Sequence, residues 1–279
     1  MILNVAVVQY PLVGSMSVDA MVEKVEAFVN TSKTQGAELV IIPELFSLDI
    51  VDFTKPVPPQ LEHVTQDLLP SVSRFQEMAV QYGVYLLAGS LPVETKEKKI
   101  RNRSYLFFPN GKAVYQDKIF LTPDEVAWGW EGSTTLSVFD TPWGNTAITI
   151  CYDSEFPLIS ETLAQKKIDL LLIPSMTGED GFTRVRWAAQ ARAVEHMSYV
   201  LLTGTTGAPT EGWEMQAQGV VLGPSLSGFT PTIAQGTMNE DNEIVMASLD
   251  FQQLEQAKAK GMYYPARNEQ GVAIELITE

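Results

Sequence analysis

The sequence predicts an α/β fold in which helices cover a largely parallel sheet that also contains several antiparallel strand pairs. Short β-branched runs alternate with segments of helix length along the chain. The helical segments carry apolar residues at the spacing of one helix face, and no linker or low-complexity stretch divides the 279 residues. We therefore expect a single domain over residues 1–279, in which residues 251–279 form a C-terminal helix and an extended tail.

The first half of the chain begins with a strand and a long helix and then contains mainly strands. Residues 4–9 form an apolar run, and residues 17–35 repeat apolar side chains at i, i+3, i+4 and i+7, which predicts an amphipathic helix. Asn110-Gly111 favours a tight hairpin, because this pair readily adopts a positive φ. The remaining expected elements are strands over 38–42, 84–91, 104–108 and 113–118 and a helix over 61–82.

The second half continues the alternation of strands and helices. The turn over residues 141–144 separates two of its strands. We expect strands over 136–140, 145–151, 170–174, 199–203, 219–222, 232–236 and 243–249. We expect helices over 156–167, 182–197 and 254–260.

Composition and charge restrict the class of function. Hydrophobic residues make up 45% of the chain and charged residues 19%, as in soluble globular proteins. The net charge of −15 argues against nucleic acid and anionic membrane as partners, since both attract clustered Lys and Arg. The N-terminus lacks the pattern of a secretory leader, and no apolar run reaches the ~18 residues of a membrane span. We expect a cytoplasmic protein.

The only cysteine, Cys151, ends the apolar run 145–151 and is followed by the acids Asp153 and Glu155. A lone cysteine cannot form an internal disulfide, which leaves packing, metal binding or nucleophilic chemistry. One Cys and two His are too few ligands for a structural metal site, so we expect no metal. Free cysteines are often buried as small hydrophobes, and position alone does not separate that role from a nucleophile.

Two other ionisable residues follow apolar strands in the same way. Glu44 comes after residues 39–43, and Lys118 comes after residues 113–117. The carboxyl ends of strands form the usual ligand crevice of an open α/β sheet. Each residue alone has a structural explanation, as a helix cap or a solvated strand end. Together with Cys151 they predict a carboxylate, an ammonium and a thiol at one place.

The local motifs around these residues resemble the three signatures of the nitrilase superfamily of carbon–nitrogen hydrolases. Glu44 lies in Pro-Glu-Leu, Lys118 in Asp-Lys-Ile-Phe-Leu, and Cys151 in Ile-Cys-Tyr-Asp-Ser-Glu-Phe-Pro. The resemblance covers residues 4 to 250 in the right order. It extends to Gln9, Gly89-Ser90, Asn102, Gly144, Pro174-Ser175, Trp187 and Arg192-Ala-Val-Glu195.

This resemblance implies a four-layer α-β-β-α sandwich, a homodimer or higher homo-oligomer, and a Glu-Lys-Cys triad without a cofactor. It implies a second active-site glutamate a few residues after the lysine, for which Glu125 is the matching position and Asp124 and Glu131 are alternatives. It also implies that the backbone amide of Tyr152 joins Lys118 in holding an oxyanion.

The triad suits the hydrolysis of a small amide. A free thiol titrates near ~8.5, so Cys151 needs help to react as a thiolate. Lys118 would favour the thiolate and the later oxyanion, Glu44 would take up and return protons, and a helix starting just after Cys151 would add its dipole. Attack on the amide carbon would expel ammonia or an amine and leave a thioester, which water would hydrolyse.

Other functions stay open at this point. An N-carbamoyl amidohydrolase or a nitrilase belongs to the same superfamily, although Tyr152-Asp153 resembles the amidases rather than the nitrilases. A catalytically silent interaction subunit would keep the fold and lose the chemistry. A papain-like hydrolase would need a histidine base, and neither His63 nor His196 has a suggestive context.

The sequence does not identify the substrate. The segment 175–182 follows the strand next to that of Cys151, so Met176 and Phe182 are candidate pocket residues, as is Trp128 in the aromatic segment 126–130. Trp130 fits a pocket wall and surface packing equally well. Arg184 and Arg186 are available to bind a substrate carboxylate and fit equally well as solvated helix charges.

Overall fold

We analysed a computed structural model, which describes residues 1–260. Among these residues no helix combines the length and the apolar character that crossing a membrane requires. The strands are β1 (Ile2–Pro11), β2 (Leu39–Ile41), β3 (Tyr85–Leu87), β4 (Leu91–Glu94), β5 (Ile100–Phe107), β6 (Ala113–Asp117), β7 (Val138–Thr141), β8 (Gly144–Ile148), β9 (Leu170–Ser175), β10 (Tyr199–Thr206), β11 (Val220–Leu222), β12 (Thr232–Gln235) and β13 (Ile244–Asp250). The α-helices are α1 (Val18–Thr34), α2 (Leu61–Leu68), α3 (Ser71–Tyr82), α4 (Pro123–Ala127), α5 (Pro157–Gln165), α6 (Glu179–Glu195) and α7 (Phe251–Lys260).

The long strand β1 joins two sheets. Residues 5–7 of β1 pair with β2 in parallel and residues 2–8 pair with β13 antiparallel. Strands β3, β5, β4 and β6 extend this first sheet. The last residues of β1 pair with β10 in parallel, with Gln9 opposite Gly204. The second sheet continues from β10 through β9 and β8 to β7, with β11 and β12 on the other side of β10. The central pairs are parallel and the outer pairs antiparallel.

Alternating residues of β1 contribute to two different hydrophobic cores. Val5 and Val7 pack with residues of the second sheet in one cluster. Ala6 and Val8 pack with α1 and α3 in the other cluster. Since successive side chains of a strand point to opposite faces, the first sheet has helices on one side and the second sheet on the other. Helices α5 and α6 add buried residues to the cluster of the second sheet. This is the α-β-β-α arrangement expected from the sequence.

The structure corrects several predicted boundaries. The helix expected over 61–82 is two helices, because Pro70 lacks the N–H needed to continue the first one. The strand expected over 84–91 stops at Leu87, and β4 is a separate strand that the sequence reading missed. The predicted helix over 182–197 begins earlier, at Glu179. The predicted extended tail, residues 261–279, lies outside the described residues.

Cys151 is not the last residue of its strand, as the sequence suggested. Strand β8 ends at Ile148, and a 3₁₀ helix runs over Cys151–Glu155. The α-helix expected directly after the cysteine begins only at Pro157. Cys151 therefore occupies a turn, with a φ of 48°, in the left-handed region that non-glycine residues seldom adopt.

The chain after β3 passes so close to the turn carrying Glu44 that only glycine fits. Gly89 has a φ of +49°, and a Cβ at this position would overlap the carbonyl oxygen of Pro43. The Ser90 hydroxyl accepts a hydrogen bond from the backbone N–H of Leu45, at 3.1 Å. The segment 88–90 therefore supports both sides of Glu44.

We expect Gly89→Ala to destabilise the protein far more than Gly83→Ala. Both glycines have positive φ values, so alanine costs about 1–2 kcal/mol of backbone strain at either position. Only at Gly89 does the added Cβ also collide with backbone, whereas nothing lies within 4 Å of it at Gly83. Urea unfolding of the two variants measures the difference, and equal unfolding free energies would show that Gly89 does not brace the Glu44 turn.

Candidate active site

Four side chains predicted to form one site meet at the same end of the sheets. Glu44 lies in the turn after β2, Lys118 follows β6 directly, Cys151 begins the turn after β8, and Glu125 lies in α4. All four are at most 4% exposed. The fold thus gathers two carboxylates, one ammonium and one thiol away from bulk water.

Lys118 bridges the two carboxylates. Its Nζ lies 2.7 Å from Glu44 Oε1 and 2.7 Å from Glu125 Oε2. Burial of a charged group is unfavourable unless opposite charge and hydrogen bonds replace its hydration. The three residues therefore depend on one another for their charge.

Asn102 ties the same two carboxylates together from β5. Its Nδ2 donates to Glu44 Oε1 at 2.9 Å and to Glu125 Oε1 at 2.7 Å. The backbone carbonyl of Asn102 also accepts the N–H of Lys118 at 2.8 Å. Sequence reasoning noted Asn102 only as part of the family resemblance and gave it no role, because its partners are distant in the chain.

A capping box holds Glu125 in place. Thr122 is the N-cap of α4, its hydroxyl accepts the N–H of Glu125, and Glu125 Oε2 accepts the N–H of Thr122 at 2.8 Å. Pro123 at the first helical position suits this start. The pattern Thr-Pro-Asp-Glu was a readable helix signal that the sequence analysis passed over. Of the alternatives to Glu125, Asp124 is exposed.

Glu131, the other alternative to Glu125, forms no ion pair with Lys118 among the described residues. Its carboxylate forms ion pairs with Lys99 at 3.6 Å and with Arg101 at 3.7 Å. Of the three acids considered from the sequence, Glu125 is the one that contacts Lys118.

The thiol of Cys151 faces the first turn after β9. Ser175 Oγ donates to Cys151 Sγ at 3.2 Å, and the thiol lies 3.8 Å from the carbonyl oxygen of Met176. The N–H of Met176 donates to Glu44 Oε2 at 2.9 Å. The charge of Glu44 acts on the thiol and raises its pKa. One carboxylate oxygen of Glu44 is thus held by Lys118, and the other by the residue whose carbonyl lies beside the thiol.

Burial sets the proton affinities of this site. It raises the pKa of the Glu44 carboxyl, an effect that Lys118 opposes and Glu125 reinforces. Burial alone would lower the pKa of Lys118, but the charges of Glu44 and Glu125 raise it above its usual value. Burial and the charge of Glu44 raise the pKa of the Cys151 thiol, although Lys118 acts in the expected opposite direction. At neutral pH the thiol is therefore protonated beside a carboxylate of increased basicity.

Asp153 connects the cysteine turn to the lysine loop. Its carboxylate accepts the N–H groups of Ile119 at 3.2 Å and of Phe120 at 2.8 Å. Burial raises the pKa of Asp153 to about 7, against the lowering effects of these hydrogen bonds and of Lys118. The side chain two positions after Cys151 thereby fixes the backbone directly after Lys118.

A cavity of about 610 Å³ opens onto Glu44, Lys118 and Glu125. Trp128 and Met176 line it, as the sequence suggested, whereas Phe182 lines a much smaller neighbouring cavity. Trp130 is buried and packs edge-on against Trp128. The cavity has a further wall that sequence reasoning missed, the segment 212–216, because that loop reaches the site only through the tertiary fold.

The two histidines and two arginines considered from the sequence lie apart from this cavity. His63 lines a different cavity, and His196 is buried against Ser160. Arg184 pairs with Glu155 at 3.1 Å, and Arg186 donates to Gln190 at 3.3 Å. Within residues 1–260, no group of three or more His, Cys, Asp and Glu side chains has the arrangement of a metal site.

Comparison with known proteins identifies the family. The family model for carbon–nitrogen hydrolases matches residues 4–259. The chain belongs to the carbon–nitrogen hydrolase family. This confirms the membership of the nitrilase superfamily predicted from the three motifs.

Individual relatives agree with this assignment. The chain is 32% identical over 266 residues to the probable hydrolase YhcX of Bacillus subtilis, covering 92% of this chain and 52% of YhcX, so it spans about half the length of that relative. It is 28% identical over 238 residues to the deaminated glutathione amidase of Synechocystis, covering 78% of this chain and 86% of that protein. The crystal structure of Nit3 from Saccharomyces cerevisiae, a nitrilase-superfamily member, superimposes with a TM-score of 0.80 at 22% identity, covering 96% of this chain and 97% of Nit3. The predicted nitrilase-type fold is confirmed.

We expect Lys118→Ala to destabilise the protein by about 3–5 kcal/mol, because it leaves two buried carboxylates without a counter-ion. Adding Glu125→Gln should recover part of this loss by removing one of the carboxylates. Chemical unfolding measures both variants. Lys98→Ala, which breaks an exposed pair with Glu94, is the control and should have a much smaller effect. Equal effects of Lys118→Ala and Lys98→Ala would contradict the role of the buried bridge.

Proposed function

We propose that this protein is a cysteine-dependent amidase that hydrolyses the non-peptide C–N bond of a small amide through a thioester on Cys151. The observation that carries the proposal is that Met176 contacts both the buried thiol of Cys151 and one oxygen of Glu44, whose other oxygen is bound to Lys118. Membership of the carbon–nitrogen hydrolase family and the amidase among the relatives support it.

In the first step, the thiol attacks the amide carbon while its proton passes to Glu44. Because burial favours the neutral thiol, a stable thiolate is not needed before substrate arrives. The raised pKa of Glu44 makes it a better proton acceptor than an ordinary carboxylate. The new C–S bond converts the carbonyl oxygen into an oxyanion.

Two donors near the thiol would stabilise this oxyanion. The Lys118 ammonium keeps its proton, since its neighbouring carboxylates raise its pKa. The backbone N–H of Tyr152, the next residue after Cys151, is the second proposed donor. A fixed positive charge in a water-poor site acts most strongly on charge that develops during the reaction.

The tetrahedral intermediate then collapses by breaking the C–N bond. Glu44 returns its proton to the departing nitrogen, so that neutral ammonia or amine leaves and the acyl group stays on Cys151 as a thioester. A water molecule in the vacated position loses a proton to Glu44 and attacks the thioester carbon. Breaking the C–S bond releases the acid, and the proton on Glu44 returns to sulfur. Glu125 and Asn102 hold Lys118 and Glu44 in place throughout.

We propose that the protein works as a homo-oligomer built on α5 and α6. These helices leave three large apolar side chains exposed: Leu158 at 64%, Trp187 at 71% and Val194 at 40%. Apolar side chains of this size are favoured at contacts between subunits. This supports the predicted homodimer.

We expect Cys151→Ala to lower ammonia release from a panel of small amides by about three orders of magnitude or more, because it removes the sulfur that carries the acyl group. The free energy of unfolding should change little, since alanine fills most of the same volume. Ser71→Ala, a similar deletion of one buried polar atom far from the site, is the control and should retain activity. Full activity of Cys151→Ala would contradict the thioester mechanism.

A further inference from the structure

The outer wall of the active-site cavity is acidic. Four carboxylates from three separate segments line it in addition to the two that hold the lysine: Asp124 in α4, Glu179 and Asp180 in the first turn of α6, and Glu214 in the loop before β11. All four residues are exposed to solvent. Within the described chain, none of their side chains takes part in an ion pair shorter than 4.0 Å.

Positive charge that could balance this wall is absent from the cavity lining in residues 1–260. The lining there contains one cation, Lys118, and both of its carboxylate partners lie at 2.7 Å. Arg184, the nearest arginine in sequence to the acidic first turn of α6, pairs with Glu155 and donates to the Asp180 carbonyl. A substrate carboxylate would therefore enter a negative field without a partner.

Aromatic rings lie beside the acidic groups. Trp128 and Trp213 both line the cavity, with ring planes within 8° of parallel and ring centroids 6.4 Å apart. Phe53 packs edge-on against Trp213, and Trp130 packs edge-on against Trp128. These contacts hold the two cavity-lining rings in place. The face of an indole ring attracts cations more strongly than any other side-chain ring.

From this combination we infer that the active site takes amides that carry a positively charged group, such as a primary ammonium, a few methylenes from the reacting carbonyl. The amide reaches Cys151 while the cation lies among the tryptophans and the outer carboxylates. The inference rests on the proposed amidase function for the reacting end of the substrate. The cavity volume of about 610 Å³ is in the range of small-molecule sites and accommodates both ends.

Three amides of equal length test this selection by charge. The cation is 5-aminopentanamide, its uncharged isostere is hexanamide, and its anionic counterpart is adipamate. We expect kcat/KM for ammonia release to be at least about tenfold higher for the cation than for hexanamide, and lowest for adipamate. The advantage of the cation should shrink as salt is added, since exposed charges are screened.

Two variants locate the source of the preference. Glu214→Gln should lower the ratio of kcat/KM for 5-aminopentanamide over hexanamide by about three- to tenfold, because it removes one wall charge without changing shape. Trp213→Leu should lower the same ratio by removing an aromatic face. Glu211→Gln is the matched control, because Glu211 is exposed in the same loop and does not line the cavity. It should leave the ratio unchanged.

A binding measurement separates this inference from the proposed reaction. Calorimetric titration of Cys151→Ala with 5-aminopentanamide and hexanamide reports selection by charge without turnover, and tighter binding of the cation supports the inference. Equal or weaker binding of the cation, or equal kcat/KM for the three amides, would overturn it. If the wild-type protein releases ammonia from none of them, the proposed hydrolysis fails for this class, while the titration still decides the charge selection.

Discussion

The ammonium of Lys118, buried between Glu44 and Glu125, is the interaction on which the rest of the site depends. A single lysine charge compensates two carboxylates, and each contact is 2.7 Å long. None of these charges would be tolerated alone at this depth, so the three residues form one unit. Its consequence for chemistry is that burial raises the pKa of Glu44 against the opposing charge of Lys118, while burial and the charge of Glu44 raise the pKa of the Cys151 thiol.

Contacts between distant segments hold the loops of this site in place, in addition to the strands that precede those loops. Gly89 allows the chain after β3 to pass against the Glu44 turn, and the Thr122 cap fixes Glu125. Asp153 links the turn of Cys151 to the backbone that follows Lys118. Cys151 itself occupies a left-handed backbone conformation, a form of local strain that clusters at functional sites. Each position of the proposed site is thus held by residues from another part of the chain.

Local sequence patterns predicted most strands and helices, the family and the gathering of Glu44, Lys118 and Cys151. They did so because apolar periodicity and strand-end motifs are local signals. Pro70 is a local signal for the break between α2 and α3, and the capping box at Thr122 is a local signal for the start of α4. The sequence-based prediction used neither signal. The cavity wall formed by residues 212–216 and the bridging role of Asn102 depend on contacts between distant segments, and no local pattern reports them.

The central claim is that Cys151 carries the acyl group while Glu44 moves the protons. Mass spectrometry of the wild-type protein, acid-quenched during turnover of a small amide, tests it most directly, because acid stops hydrolysis of the thioester. The Glu44→Gln variant, which lacks the base for the first step, should show no such adduct. The account predicts added mass on the peptide that contains Cys151 and none on the same peptide of the Cys151→Ala variant. An adduct on another residue, or ammonia release by the wild-type protein with no reactivity at Cys151, would contradict it.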